Sequence, residues 1–229
     1  MSLSQAALHA PSATRNVAPR TAPEVDGLLA IGLTVQARPG QTIVLEEDPC
    51  SHCFRVLTGA VRLYKSTADG RRQLIDFLVA DDCFGLFGSH YTYGVEAITN
   101  TTLIKTARAT LAAAVRERPA LADRLIELAA TELARAHEHM LLLGRKNAQE
   151  KVASLLLELA CRIGADEARP AFRLPLSRQE MADQLGLTIE TVSRTMTRLR
   201  EEGFIALPTS HDVVLTRPAQ LAAVAEGTT

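Results

Sequence analysis

The spacing of apolar and polar residues changes character along the chain. Between Leu33 and about Arg108 the apolar residues come in short runs at 43–45, 54–57, 61–64, 73–79 and 103–106, rich in β-branched and aromatic side chains. Turn dipeptides (Pro39-Gly40, Asp69-Gly70) and Gly59 punctuate them. Short strands at this spacing predict an antiparallel sandwich or barrel. From residue 107 the period becomes helical. One short helix over 107–118 stops at Pro119, and a long one runs from Ala120 to about Arg145. In the long helix Leu125, Leu128 and similar residues can face the β-rich unit. A second stripe, Ile126, Ala130, Ala134, His137 and Leu141, follows coiled-coil spacing and can meet its own copy in another subunit. The bland alternative is a helix buried on all sides in a monomer.

Polar residues cluster at 144–150 and predict a hinge. Beyond it 151–163 reads as a helix with Val152, Leu155, Leu156 and Leu159 inward, 166–172 as a loop and 173–176 as a strand. Two short amphipathic helices follow. Ser177 with Glu180 makes a capping box, Met181 and Leu185 form one apolar face, and Gly186 suits a left-handed helix end. Thr188 caps the second helix, whose buried stripe is Val192, Met196 and Leu199. Ala182 is small where steeply crossing helices approach. This is the helix-turn-helix pattern, whose second helix lies in the DNA major groove. Gly203 ends that helix, and 204–207 and 213–216 predict a hairpin, or wing, around Pro208-Thr209-Ser210-His211.

The second helix leaves Ile189, Glu190, Ser193 and Arg194 outward near its N-terminus, the end that meets base edges. An arginine donates two bonds to guanine, and a glutamate accepts from cytosine. Glu190 and Arg194, four apart, can therefore read a G·C pair and its neighbour. An ordinary i,i+4 ion pair is the competing explanation.

The run from Ser177 to Arg194 resembles the C-terminal helix-turn-helix of the CRP/FNR superfamily of bacterial transcription regulators, and Glu190-Thr191-Val192-Ser193-Arg194 is similar to its FixK and FNR branch. Upstream, Val56-Leu57-Thr58-Gly59-Ala60-Val61-Arg62-Leu63-Tyr64 resembles the β-roll of the cyclic-nucleotide-binding fold. The resemblance covers the chain from about residue 33. It implies an α+β architecture: an N-terminal antiparallel β-roll over 27–118, a long dimerisation helix over 119–145 and a C-terminal winged helix-turn-helix over 146–229, preceded by a disordered tail over 1–26. It implies a homodimeric activator that binds double-stranded DNA at TTGA…TCAA inverted repeats, touches RNA polymerase and serves oxygen-limited gene expression. Ser177, Arg178, Gln179 and Thr188 match phosphate-holding positions, with Arg198 as a further backbone contact; Glu190, Ser193 and Arg194 match the base-reading set. Thr195 is more polar than the family usually carries at a buried position.

Composition bounds this picture rather than drawing it. The 229 residues suffice for two modest domains, and 47% hydrophobic with 22% charged residues is a globular composition. A net charge of −1 leaves DNA binding to the charge on one helix face. No apolar run reaches membrane-span length. Four cysteines without a secretory signal point to a reducing cytoplasm. The stretch from Cys83 to Gly94 has no arginine for a cyclic phosphate, and Leu86 stands where the ribose-binding acid is expected, which argues against cAMP. Cys50-Ser51-His52-Cys53 is the one metal-like spacing. With Cys83, and His52 or His90, it is the weaker alternative of a zinc or iron–sulfur site, and so of a ligand-, haem- or cluster-gated sensor. The tail lacks the cysteine cluster of iron–sulfur relatives, and Ser177 stands where some FixK-like proteins have a redox-sensitive cysteine. Cys161 is expected to pack in its helix. No Ser-His-Asp set, paired-carboxylate motif or phosphate loop suggests an enzyme.

Overall fold

The computed structural model describes residues 32–66, 72–165 and 168–228. The expected N-terminal tail and the Asp69-Gly70 turn lie outside them. Two four-stranded antiparallel sheets form the first unit. One has the order β1 (Leu33–Ala37), β8 (Thr101–Ala107), β3 (His52–Thr58), β6 (Cys83–Phe84); the other has β2 (Thr42–Val44), β7 (Gly94–Ala97), β4 (Val61–Ser66), β5 (Arg72–Leu78). Alternate residues of both sheets meet in one core of Phe54, Val56, Val61, Leu63, Leu78, Phe84, Val95 and Leu103, in which the Phe54 and Phe84 rings stack at 4.7 Å. The antiparallel architecture expected from the strand pattern, and the β-roll that the resemblance implied, are therefore present. Three of its strands were not foreseen. β1 exposes Leu33 and, among the described residues, pairs only with β8, β6 is two residues long, and all four residues of β7 are buried, so none shows alternation.

The helix α1 (Arg108–Glu117) follows directly from β8. The helix α2 (Ala120–Arg145) then crosses the outside of the roll, where Leu128, with Leu121 and Leu125 beside it, packs on Leu111 and Cys53. Leu128 is the one buried residue of α2. The apolar residues further along do not face the roll as their spacing suggested: Leu133 is 58% and Met140 60% exposed. With Ile126 they recur every seven residues, so the open heptad stripe runs Ile126, Ala130, Leu133, His137 and Met140. Ala134 and Leu141, also exposed, flank it.

The hinge is shorter than the polar cluster implied. Helix α2 continues through Gly144, and only Lys146 and Asn147 separate it from α3 (Ala148–Ile163). Asn147 starts α3 three residues early because its side chain accepts from the Gln149 and Glu150 N–H groups while Glu150 accepts from the Asn147 N–H at 3.0 Å. The remaining elements are β9 (Ala171–Arg173), α4 (Arg178–Leu185), α5 (Ile189–Glu201), β10 (Ile205–Ala206), β11 (Asp212–Leu215) and α6 (Pro218–Ala225). β10, β11 and β9 form a small antiparallel sheet, so the wing is present, while the strand expected at 173–176 lies at 171–173. Helix α6 was missed although Pro218 occupies its first turn, a favoured proline position. It buries Leu221, Val224 and Ala225 in the second core, which also takes in Ala60, Phe77 and Val79 of the roll.

Asp76 of β5 shows how this junction affects titration. Burial pushes its carboxyl up to about 7, against the pull of Arg162. Between about pH 4, where an unfolded aspartate ionises, and 7 the folded state holds a proton that the unfolded chain has lost, so stability falls as pH rises. Asp76→Asn should therefore raise Tm at pH 8 and leave it nearly unchanged at pH 4. A Tm difference independent of pH would contradict this.

Candidate nucleic-acid interface

The local chemistry of the helix pair follows its sequence. Ser177 takes an extended conformation, its Oγ accepts from the Glu180 N–H at 3.2 Å, and Glu180 Oε2 accepts from the Ser177 N–H at 2.8 Å. Gly186, at φ 60°, closes α4 in the left-handed region, where a side chain would cost about 1–2 kcal/mol. Thr188 then caps α5, accepting from the Thr191 N–H at 3.2 Å. Met181, Ala182 and Leu185 of α4 meet Val192, Met196 and Leu199 of α5, all essentially inaccessible to solvent. Thr195 is buried beside them at 7% exposure and fits without disrupting α5.

This packing turns the other side of α5 outward. Glu190, Ser193 and Arg194 are exposed, as is Ile189 at 38%. Glu190 and Arg194 form no ion pair with each other or with any other described residue. The i,i+4 explanation therefore fails for them, whereas it holds for Arg198, whose Nε donates to Glu202 at 2.8 Å. Arg178 is half-buried, and that desolvation lowers its pKa. Its Nη1 lies 3.3 Å from Met181 Sδ, and no carboxylate among the described residues pairs with it. Gln179 is exposed and donates to Asp183 at 2.8 Å. The hydroxyls of Ser177 and Thr188 already serve as caps. On the long helix Ile126, Ala130, Ala134, His137 and Leu141 are all exposed.

Sequence reasoning missed Lys151. Its side chain is buried, and Nζ donates at 3.1 Å to the Leu185 carbonyl, tying α3 to the C-terminal end of α4, where a cation also opposes the helix dipole. A lone lysine among apolar residues of α3 was the only signal. It also missed Arg62 of β4, which donates to Glu180 Oε1 at 3.0 Å and so joins the roll to the capping box.

The cysteines do not assemble. Near the start of β3, residues three apart face opposite sides of the sheet. Cys50 enters the roll core, with Sγ 3.3 Å from the Gly85 carbonyl, while Cys53 packs against Leu111 and Leu128 under α1 and α2. Cys83 lies beside the second group only. Among the described residues no three His, Cys, Asp or Glu side chains converge as metal ligands, at Cys50, Cys53 and Cys83 or elsewhere. Cys161 is exposed rather than packed. Among the described residues no helix is long and apolar enough to cross a membrane.

Comparison with known proteins agrees with this geometry. Residues 34–118 match the cyclic nucleotide-binding domain and residues 150–224 the Crp-like helix-turn-helix domain. The nitrogen fixation regulation protein FixK of Bradyrhizobium diazoefficiens is 42% identical over 85% of this chain and 83% of its own. The chain belongs to the FixK-like branch of the CRP/FNR superfamily of transcription regulators. FnrL of Cereibacter sphaeroides, a transcriptional activator protein, is 40% identical over 80% of this chain and 76% of its own. The solved structure of FixK2 from Bradyrhizobium japonicum superposes with a TM-score of 0.79 at 36% identity, covering 85% of this chain and 97% of that one. This FixK-like regulator thus carries its DNA-binding helix-turn-helix in the C-terminal domain.

Two outcomes check the site's supports. Lys151→Met leaves the Leu185 carbonyl without its buried donor and should destabilise the DNA-binding domain by about 1–3 kcal/mol, measured by denaturant unfolding; an unchanged midpoint would contradict it. Burial pushes the Cys53 thiol up to about 11. Iodoacetamide at pH 8 should therefore modify Cys161 in the native protein and spare Cys53, as read by peptide mass.

Proposed function

We propose that the protein is a cytoplasmic activator that binds a TTGA…TCAA-type inverted repeat as a homodimer, contacts RNA polymerase and serves oxygen-limited gene expression. The observation that carries the base-reading part is the pair Glu190 and Arg194: exposed, unpaired and one turn apart on the N-terminal half of α5. Arg194 donates to guanine O6 and N7, Glu190 accepts from cytosine N4 on the neighbouring pair, and Ser193 adds an adjustable hydroxyl. Arg178, a partly desolvated guanidinium without a carboxylate, takes a backbone phosphate together with Gln179 and the first turns of the two helices. Arg198 can add a phosphate contact only by leaving Glu202.

The open stripe Ile126, Ala130, Leu133, His137 and Met140 supports the dimer. An exposed seam at heptad spacing, apolar but for His137 and flanked by exposed Ala134 and Leu141, is what a parallel partner helix covers. Two recognition helices about one DNA turn apart then suit an inverted repeat. The role as activator is supported by the name of a relative, transcriptional activator protein FnrL, and the control by oxygen supply by the similarity of residues 190–194 to the FixK and FNR branch.

Binding to TTGA…TCAA duplexes by fluorescence anisotropy tests the reading. Arg194→Ala should cost about 1–3 kcal/mol and relax the choice at the guanine, whereas Arg178→Ala should weaken every sequence alike and reduce the salt slope by about 1. Uniform weakening by Arg194→Ala would remove it from base reading. Leu133→Glu should convert the dimer to a monomer in light scattering; a persistent dimer would place the interface elsewhere.

A further inference from the structure

Three parts of the chain meet at one carboxylate. Asp82 lies in the turn after β5, and its side chain is 4% exposed. The turn is fixed to the roll: Asp82 Oδ2 accepts from the Val79 N–H at 2.8 Å, the Asp82 carbonyl accepts from Val56, and the Asp81 N–H donates to the Val56 carbonyl. Arg135 of α2 donates to Oδ1 at 3.2 Å. Arg162 of α3 donates to Oδ2 at 2.5 Å and, from the same Nη2, to the Phe77 carbonyl at 2.9 Å, with its guanidinium 4.5 Å over the Phe77 ring. Glu132 and Glu158, each on the same helix as its arginine, and Asp76 of β5, whose charge also acts on Arg162, belong to the same charged set.

The two arginines stand on either side of the Lys146–Asn147 hinge. At a helical rise of 1.5 Å per residue, Arg135 is about 15 Å before the end of α2 and Arg162 about 21 Å beyond the start of α3. Asp82 therefore closes a triangle whose apex is the two-residue hinge and whose sides are the helix carrying the heptad seam and the helix carrying the DNA-binding domain. A two-residue connection does not by itself fix the angle between two helices; the apolar core through Ala60, Phe77 and Val79 and the Arg62–Glu180 pair hold the DNA-binding domain on the roll, and Asp82 ties both helices to it far from the apex.

We infer that Asp82 is a positioning residue that sets the half-site spacing the protein accepts. It holds the DNA-binding domain at one angle to the dimer helix, and in a twofold dimer that angle fixes the separation of the two recognition helices. The inference rests on the paired-helix reading proposed above. It asks nothing of base choice, which lies on α5.

The test uses the full-length protein and duplexes bearing two inverted TTGA half-sites whose separation changes in single base-pair steps, with a single half-site as control. The wild type should bind one spacing at least about tenfold tighter, equivalent to 1.4 kcal/mol, than spacings one pair longer or shorter. Asp82→Asn, isosteric but uncharged, should reduce that ratio to about threefold or less while half-site affinity stays within about twofold. Arg135→Gln, at a more accessible position, should flatten the profile in the same direction and reports on the strut if Asp82→Asn fails to fold. A profile unchanged in Arg135→Gln, or half-site and full-site affinities falling by the same factor in both variants, overturns the inference. A wild type indifferent to spacing overturns the dimer reading as well, so the two failures are distinct.

Discussion

The carboxylate of Glu180 is the interaction on which the DNA-binding surface depends. One oxygen accepts from the Ser177 backbone and hydroxyl and so starts α4; the other takes Arg62 from the roll. Arg62 is itself held by Glu96, a buried acid that also receives Arg72. A local helix cap and an interdomain contact thus share one group. The orientation of α4 follows from both, and α5 takes its orientation from α4 through Met181, Ala182 and Leu185.

Charge is used in this molecule for placement more than for cohesion. The domains already share an apolar core through Ala60, Phe77 and Val79. Buried ion pairs such as Asp82–Arg162 lose much of their Coulombic gain to desolvation and are often no better than apolar substitutes. What they add is direction: a carboxylate with two arginines tolerates few geometries, whereas an apolar contact tolerates many. Lys151 on the Leu185 carbonyl works the same way, joining the first helix of the DNA-binding domain to the end of α4. The exposed groups of α5 are the reverse case, with Glu190 and Arg194 kept free of partners.

Much of this was legible before any coordinates. Ser177, Glu180, Gly186 and Thr188 are local signals, acting within one turn of their own position, and each does what its residue type implies. An antiparallel β unit was legible from turn residues and β-branched runs, and its roll form from the resemblance. What escaped depends on distant neighbours. The four residues of β7 are all buried and show no period, and α2 carries enough apolar residues to support two phases, between which only the roll decides. That is why Leu133 and Met140 join Ile126 on the open face. Cys50 and Cys53 have metal-like spacing, but the sheet sends them to opposite sides. Of the expected DNA contacts, Glu190, Ser193 and Arg194 lie together on one surface, while Arg198 has a carboxylate partner that a helical wheel does not rank above solvent.

In the proposed dimer two copies of α5, held at a fixed separation, read DNA together. Selection of bound duplexes from a random pool by the full-length protein measures this directly. The expected result is one short motif recovered twice, inverted, with a G·C pair in each copy and centres about one helical turn, roughly 34 Å, apart. Recovery of a single uninverted motif, or of no shared sequence, would contradict it.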